Sequence, residues 1–155
     1  MKLALDTDVA VEVISGRRPH FRAWLEQAEA SGASLHLSTI VFHELMCAAM
    51  GAPNPGREMD RVGWLASQME VEAWTPEDAI EAARIRADLG TSEKVLGTMD
   101  ALLAGQALNG GWTLVTGNLR AFIRVPALQL VDWSDPEGPL DRATAWMRLM
   151  RKPPK

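Results

Sequence analysis

The sequence predicts a single α/β domain with a central, mostly parallel sheet of about five strands. Short apolar runs alternate along the chain with longer stretches in which apolar residues recur at helical spacing. Strands separated by helices pair in parallel through right-handed crossovers. The 155 residues are the usual length of one domain and are enough to bury a core.

The first half of the chain is predicted to contain two strands and four helices. Short apolar runs predict strands over residues 2–5 and 35–37. Helices are expected over residues 9–15, 20–30, 39–50 and 57–69, with Ser38 or Thr39 capping the third. The first three helices end at segments rich in Gly, Pro or Ser, namely residues 16–19, 31–32 and 51–56.

The second half continues the alternation. Strands are predicted over residues 71–74, 112–116 and 129–131, and helices over residues 76–89 and 100–109. The first of these helices has a strong start, because Thr75 supplies a capping hydroxyl and Pro76 occupies the first turn. We expect this helix to stop at Gly90-Thr91-Ser92.

The end of the chain is predicted to be an addition to the domain. We expect the domain to cover residues 1–133 and a C-terminal extension to cover residues 134–155. Residues 139–151 predict an amphipathic helix that packs back on the domain or on a partner. Its expected apolar stripe consists of Leu140, Ala143, Trp146, Met147 and Met150.

Composition excludes several classes of protein. A net charge of −4 argues against a nucleic-acid coat protein, which needs a broad basic surface. The single cysteine, Cys47, excludes an intramolecular disulfide. There is no signal segment and no apolar run of roughly 20 residues, the length that spans a bilayer. We therefore expect a cytoplasmic protein.

Isolated carboxylates inside apolar segments are the clearest functional signal. Asp6 and Asp8 follow the first predicted strand, Glu44 lies about one and a half turns into a helix, and Asp100 opens another helix. A carboxylate buried alone is costly unless it is paired, protonated or bound to a metal. Elements of a doubly wound sheet can bring such groups to one edge. The pattern therefore indicates a Mg²⁺ or Mn²⁺ site, since these ions prefer oxygen ligands.

Each of these acids also has a structural interpretation. Asp8 can cap the first helix, and Asp100 can favour the positive end of its helix dipole. Glu44 can be a solvated helix residue. Because these interpretations would all have to hold together, the cation site is the better hypothesis.

Four segments resemble the PIN-domain ribonucleases, in particular the VapC-type toxins of VapBC toxin–antitoxin pairs. The order and spacing of the segments agree with that family over about residues 2–133. The segments are Leu5-Asp6-Thr7-Asp8-Val9, Ser38 through Glu44-Leu45, Gly97-Thr98-Met99-Asp100-Ala101-Leu102-Leu103-Ala104, and Leu114-Val115-Thr116-Gly117-Asn118 with the residues that follow to Trp133.

The resemblance implies a PIN-like α/β/α domain whose acidic cluster binds Mg²⁺ or Mn²⁺ and hydrolyses RNA, with tRNA or rRNA as the expected substrate. Carried over by position, Asp6, Glu44 and Asp100 are the catalytic residues and metal ligands, and Thr116 and Asn118 line the site. A metal held there would activate a water for attack on the phosphodiester, leaving a 5′-phosphate. The resemblance also implies a cognate VapB-like antitoxin and a homodimer.

The chain departs from the family pattern at three positions. Asp8 stands where family members usually have Asn, so it either adds a ligand or caps the helix. Asn118 stands where some relatives carry a fourth acid, and Gly117 is smaller than the usual residue. These departures leave open whether the site takes one metal ion or two.

Two other functions compete with the nuclease. Asp6-Thr7-Asp8 matches the Asp-x-Asp pair of phosphatases that form an aspartyl-phosphate, but Lys94 is the only mid-chain lysine and no later strand is followed by paired acids. The acids can also belong to a non-catalytic module that docks a basic partner, since an arginine fork pairs well with carboxylates. Metal-dependent cleavage separates the nuclease from the docking module.

Overall fold

A computed structural model of the protein describes residues 1–90 and 94–151 and contains one six-stranded sheet in that part of the chain. The strands run in the order β3-β2-β1-β4-β5-β6, and β6 alone is antiparallel to its neighbour. The mostly parallel α/β sheet is therefore confirmed. The strands are β1 (Lys2–Leu5), β2 (Ser34–Ser38), β3 (Glu70–Glu72), β4 (Thr113–Val115), β5 (Gln129–Asp132) and β6 (Leu140–Asp141).

Eight helices accompany this sheet within the described residues. They are α1 (Thr7–Ser15), α2 (His20–Ala30), α3 (Thr39–Met50), α4 (Pro55–Ser67), α5 (Pro76–Leu89), α6 (Thr98–Gly110), α7 (Leu119–Phe122) and α8 (Arg142–Arg151). Strand β6 and helix α7 are not predicted from the sequence, because they are too short to show a period. Helix α4 begins two residues before its predicted start, because Asn54 caps this helix and Pro55 occupies its first turn. Of the predicted stop after α5, Thr91 and Ser92 lie outside the described residues.

The centre of the sheet is apolar on both faces. Ala4 and Leu5 of β1 and Leu114 and Val115 of β4 are completely buried. Strands covered by helices on both sides are expected to be apolar throughout. On one side, Gly105 lets α6 approach α5 closely, because a Cβ at this position would lie 2.5 Å from the backbone nitrogen of Ala82. The central strands are thus fixed firmly in the core.

The strand order changes direction between β1 and β4, and this junction positions the site. The chain winds outwards through β2 and β3 on one side, and through β5 on the other. Asp6 follows β1 and its backbone N–H donates to the carbonyl of Val115 at 2.9 Å. Thr116 follows β4 and its N–H donates to the carbonyl of Val131 at 3.0 Å. Polar side chains therefore meet at the carboxyl ends of adjacent strands, where open α/β sheets bind their ligands.

The C-terminal helix presents a different face to the domain from the one that the sequence predicts. Ala145 is buried, whereas Trp146, Met147 and Met150 of the predicted stripe are 40%, 52% and 65% exposed. The predicted stripe is wrong because the helix begins only after β6 has paired with β5. The side chain of Arg142 then turns inwards and donates to backbone carbonyls of the segment before β5. The domain boundary at residue 133 stays a prediction.

None of the helices in residues 1–90 and 94–151 combines the length and apolar character needed to cross a bilayer.

Candidate active site

The carboxylate of Asp6 is buried at the junction of β1 and β4, with 6% of the residue exposed. One oxygen, Oδ1, accepts the backbone N–H of Thr7 at 2.7 Å, so Asp6 is the N-cap of α1. The other oxygen, Oδ2, accepts the hydroxyl of Thr116 at 2.7 Å. Asp6 thereby joins the ends of two central strands and the start of a helix.

Burial raises the pKa of Asp6 from its ordinary value of 3.8 to about 6. Removal from water is the largest cause, and the negative charges of Asp100 and Asp8 raise the pKa further. The hydrogen bonds from Thr116 and Thr7 act in the opposite direction but do not compensate. A buried carboxylate beside two like charges is a group that a bound cation would stabilise in its ionised form.

Glu44, on α3, is linked to the Asp6 region by a hydrogen bond from Thr7. Ser38 caps α3 by accepting the backbone N–H of Ile40 at 3.0 Å, which fixes where this helix starts. The hydroxyl of Thr7 donates to Oε2 of Glu44. Thr7 thus links Glu44 to the end of β1. No role of Thr7 is predicted from the sequence, because a threonine after a helix cap is not part of any recognisable functional pattern.

Asn118 and Asp100 complete the connection on the other side. The backbone N–H of Asn118 donates to the hydroxyl oxygen of Thr116 at 2.9 Å. Its side-chain amide donates to Oδ2 of Asp100 at 3.4 Å, a long hydrogen bond. Asp100 lies in the first turn of α6. A continuous network therefore runs through Glu44, Thr7, Asp6, Thr116, Asn118 and Asp100.

Asp8 does not cap α1, so the capping interpretation of Asp8 is wrong. Asp6 occupies that position, because the helix begins immediately at Thr7. Asp8 lies in the first turn of α1 and is exposed, and its charge raises the pKa of Asp6. Its role as an additional ligand stays a prediction.

The donor set suits a hard divalent cation held partly through water. Within residues 1–90 and 94–151, the oxygens of Asp6, Glu44 and Asp100 do not form a set in which all lie within 4.8 Å of one another. Mg²⁺ usually keeps several waters and binds through one or two carboxylates. The charge of Asp100 raises the pKa of Asp6, and the carboxylate oxygens of both residues are of the kind that such an ion binds.

A different set of three ligand atoms does meet that distance in the described part of the chain. His36, Glu70 and Glu72 lie on neighbouring strands β2 and β3, and Nδ1 of His36 is 3.0 Å from Oε1 of Glu72 and 4.0 Å from Oε2 of Glu70. The other ring nitrogen is 2.9 Å from the hydroxyl oxygen of Ser34. Both nitrogens of this buried imidazole thus have partners within the protein. Polar contacts of His36 with Glu72 and Ser34 account for the cluster without a metal.

The order of the functional segments and the fold agree with one family. The sequence model of the PIN domain matches residues 3–128. The chain belongs to the PIN domain family. The relatives of this PIN domain include the tRNA(fMet)-specific endonuclease VapC of Salmonella typhimurium, 31% identical over 133 residues that cover 86% of this chain and 98% of the relative. Ribonuclease VapC2 of Haemophilus influenzae is 30% identical with the same coverage. The resemblance to VapC-type PIN ribonucleases is confirmed.

Solved structures of the family have the same fold. VapBC2 from Rickettsia felis, bound to a DNA fragment from their promoter, aligns with a TM-score of 0.80 at 25% identity, covering 86% of this chain and 100% of that chain. DNA-bound VapBC from Salmonella typhimurium aligns with a TM-score of 0.78 at 30% identity, covering 86% and 98%. This PIN domain therefore has the VapC architecture. Helix α8 and strand β6 lie beyond residue 128, where the family match ends.

We expect Asp6→Asn to stabilise the metal-free protein at neutral pH. The pKa of Asp6 is raised by folding, so the ionised carboxylate destabilises the folded state. This cost is absent at a pH below 3.8 and grows as the pH rises towards 6, to about 3 kcal/mol. Urea unfolding in chelator should show the variant as the more stable protein at pH 7.5, with a difference that shrinks as the pH falls towards 4.

The control for this measurement is Asp60→Asn, which changes an exposed carboxylate on α4. We expect its stability to follow that of the unchanged protein at every pH. A difference between Asp6→Asn and the unchanged protein that stays the same from pH 4 to 7.5 would show that the ionised Asp6 carboxylate does not strain the fold.

Proposed function

We propose that this PIN-domain protein is a divalent-metal-dependent endoribonuclease and the toxin of a toxin–antitoxin pair. The observation that carries the proposal is the buried carboxylate of Asp6, tied by hydrogen bonds to Thr7 and Thr116 and raised in pKa by its surroundings. Perturbed carboxylates at the carboxyl edge of an α/β sheet are typical of active sites. The names of the Salmonella and Haemophilus relatives, an endonuclease and a ribonuclease, support the reaction class.

Asp6, Asp100 and Glu44 are the residues that would hold the metal, which is Mg²⁺ or Mn²⁺. When bound, such an ion supplies positive charge at the scissile phosphate and lowers the pKa of a water that it holds. The oxygen ligands of this site match the preference of both ions. The number of ions and the role of Asp8 belong to the same proposal.

The residues of the chain set the geometry of the reaction. Thr116 holds Oδ2 of Asp6, and Thr7 holds Oε2 of Glu44. Glu44 keeps its second oxygen for orienting a water that attacks the phosphorus. Asn118, which is held by Thr116 and bonded to Asp100, lies where its amide can bind a phosphate oxygen. Attack in line with the leaving 3′ oxygen breaks the P–O3′ bond and leaves a 5′-phosphate on the downstream fragment.

We propose tRNA as the first substrate to test, because the name of the Salmonella relative specifies a tRNA substrate. Ribosomal RNA is the second. We propose that the protein acts in the cytoplasm, where both RNAs are present.

A separate groove fits the antitoxin. This groove, of about 460 Å³, lies between α1, α3 and α4, and most of its exposed lining is apolar. Its apolar floor includes Val11, Ile14, Leu45, Ala48 and Val62, and its rim includes Arg17, Arg57 and Arg61. An amphipathic segment with apolar residues on one side and acidic residues on the other is complementary to it. VapBC complexes from Salmonella and Rickettsia are among the similar structures, which supports a VapB-like partner.

The docking module remains the competing function. Its support is the same set of carboxylates, which could receive an arginine from a basic partner. A docking module would bind such a partner in chelator and would leave RNA intact.

We expect labelled total tRNA to be cleaved by the antitoxin-free protein in Mg²⁺ or Mn²⁺ and to remain intact in chelator. Asp6→Asn and Asp100→Asn should each lower the rate by about 100-fold or more, because each removes a carboxylate that would hold the metal ion. Thr7→Val should lower it by about 10-fold, since it only positions Glu44. The exposed Asp60→Asn is the matched control and should cleave normally. Intact tRNA and rRNA in both metals would reject the nuclease.

We expect Ala48→Arg to weaken binding of the co-expressed VapB-like antitoxin by about 10-fold or more, because it places a charge in an apolar groove. Ala48 is exposed, so the substitution should not disturb the core. The control is Ala30→Arg, at the exposed end of α2 and outside the groove. Binding can be measured by calorimetry. Equal affinities of the two variants would place the antitoxin elsewhere.

A further inference from the structure

A second groove adjoins the candidate active site directly. It has a volume of about 480 Å³ and opens between the beginning of α7 and the side of α8, so we name it the α7–α8 groove. Asn118, which hydrogen-bonds Asp100, forms part of its wall. The charged residues of its lining are Arg120, Arg148, Asp132 and Asp135. The groove therefore continues outwards from the carboxylate network.

The wall that α8 contributes is firmly attached to the domain. The guanidinium of Arg142 donates to the backbone carbonyls of Ile123 at 2.8 Å, Val125 at 3.3 Å and Leu128. Strand β6 pairs with β5 immediately before the helix, and Ala145 is buried. Arg142 thereby fixes α8 against the segment that follows α7. The α7–α8 groove has two walls in a defined geometry.

Two arginine side chains of the groove can bind phosphate groups. Arg120 is exposed and makes no ion pair within residues 1–90 and 94–151. Arg148 pairs with Asp135, yet its side chain remains 55% exposed. Each guanidinium can present its remaining donors to a phosphate.

The acids in the groove are already neutralised or hydrogen-bonded. The carboxylate of Asp132 accepts the backbone N–H of Ser134 at 2.8 Å and its hydroxyl at 2.9 Å. Asp135 is paired with Arg148. The formal charges of the lining balance, but the acids are the less exposed groups: Asp132 is 7% exposed and the side chain of Asp135 14%, against 55% for that of Arg148. The charges most accessible to a ligand are therefore the guanidinium groups.

We propose that the α7–α8 groove binds the single-stranded RNA that flanks the scissile phosphate, with Arg120 and Arg148 contacting backbone phosphates. The inference rests on the proposed ribonuclease function and adds the path of its substrate. The groove is continuous with Asn118 of the candidate active site, and two guanidinium groups line it. Both features favour a polyanionic ligand that extends from the candidate active site into the groove. Because β6 and α8 lie beyond the part of the chain that matches the family, this contact distinguishes the protein from relatives that end earlier.

The direct test is binding of a single-stranded RNA of about 10 nucleotides, a length typical of single-strand binding sites. Binding is measured over a range of salt concentrations, in chelator so that the RNA stays intact. The double variant Arg120→Gln with Arg148→Gln should bind more weakly. The slope of log K against log salt should fall in magnitude by about 1.4, because each single-strand phosphate contact contributes about 0.7.

Two matched control variants distinguish RNA binding in the groove from a general effect of positive surface charge. Arg124→Gln changes an exposed arginine one turn beyond Arg120 that does not line the groove. Arg84→Gln changes an exposed arginine of α5 that is ion-paired to Glu81, as Arg148 is to Asp135. Both controls should keep the slope of the unchanged protein. Equal slopes for the groove variants and the controls would overturn the proposal, as would loss of antitoxin binding with unchanged RNA binding.

A kinetic measurement keeps this proposal separable from the proposed function. With Mn²⁺, the groove variants should raise KM for the oligonucleotide while hydrolysis of a small diester, bis(p-nitrophenyl) phosphate, stays unchanged, because the small diester does not reach the groove. Failure of the unchanged protein to cleave either substrate would reject the nuclease, and the salt slope would still decide whether the groove binds RNA. Loss of diester hydrolysis in the groove variants would overturn the proposal, because it would show that the groove residues act at the reacting centre and not in binding the flanking RNA.

Discussion

The carboxylate of Asp6 is the group on which the rest of the site depends. It follows the central strand β1 and lies where the strand order reverses, so its hydrogen-bond donors come from Thr116, just after β4, and Thr7, at the start of α1. Burial there raises its pKa to about 6, and the nearby acids raise it further. Among the described residues, hydrogen bonds from Thr7 and Thr116 partly offset this unfavourable charge. A carboxylate in such surroundings favours binding of a cation.

The hydrogen-bonded network explains how acids far apart in sequence act at one place. Thr7 connects Asp6 to Glu44 by hydrogen bonds, and Thr116 connects Asp6 through Asn118 to Asp100. Hydroxyl and amide groups separate the carboxylates, so no three of these oxygens crowd together among the described residues. Carboxylates separated in this way suit an ion that keeps several of its own waters.

Much of this could be predicted from the sequence, because the relevant signals are local. Asp6 and Thr116 directly follow apolar strands, and parallel strands bring their carboxyl ends to one edge. The role of Thr7 could not be predicted, since a hydroxyl after a helix cap is common and only the packing of α1 on α3 turns it towards Glu44. The orientation of α8 was missed for a related reason. Its inward face is set by Arg142 and by the pairing of β6, neither of which produces an apolar period.

The described C-terminal residues, 134–151, make the chain more than a minimal PIN domain. They add a strand to the sheet and place a helix with two basic residues in its last turn beside Asn118. The site therefore has two neighbouring surfaces of different chemistry. The groove between α1, α3 and α4 is mainly apolar, whereas the α7–α8 groove is polar. Different surfaces for a protein partner and for a nucleic acid would allow inhibition and substrate choice to evolve independently.

Calorimetric titration with Mn²⁺ can show whether a divalent cation displaces a proton from the Asp6 carboxyl. Titrations near pH 6, in buffers of different ionisation enthalpy, measure both the affinity and the protons released. We expect Mn²⁺ to bind the unchanged protein with release of protons, because the raised pKa of Asp6 leaves part of its carboxyl protonated near pH 6. Asp6→Asn should bind far more weakly and release fewer protons. Equal affinity and equal proton release in the two proteins would show that Asp6 does not hold the ion.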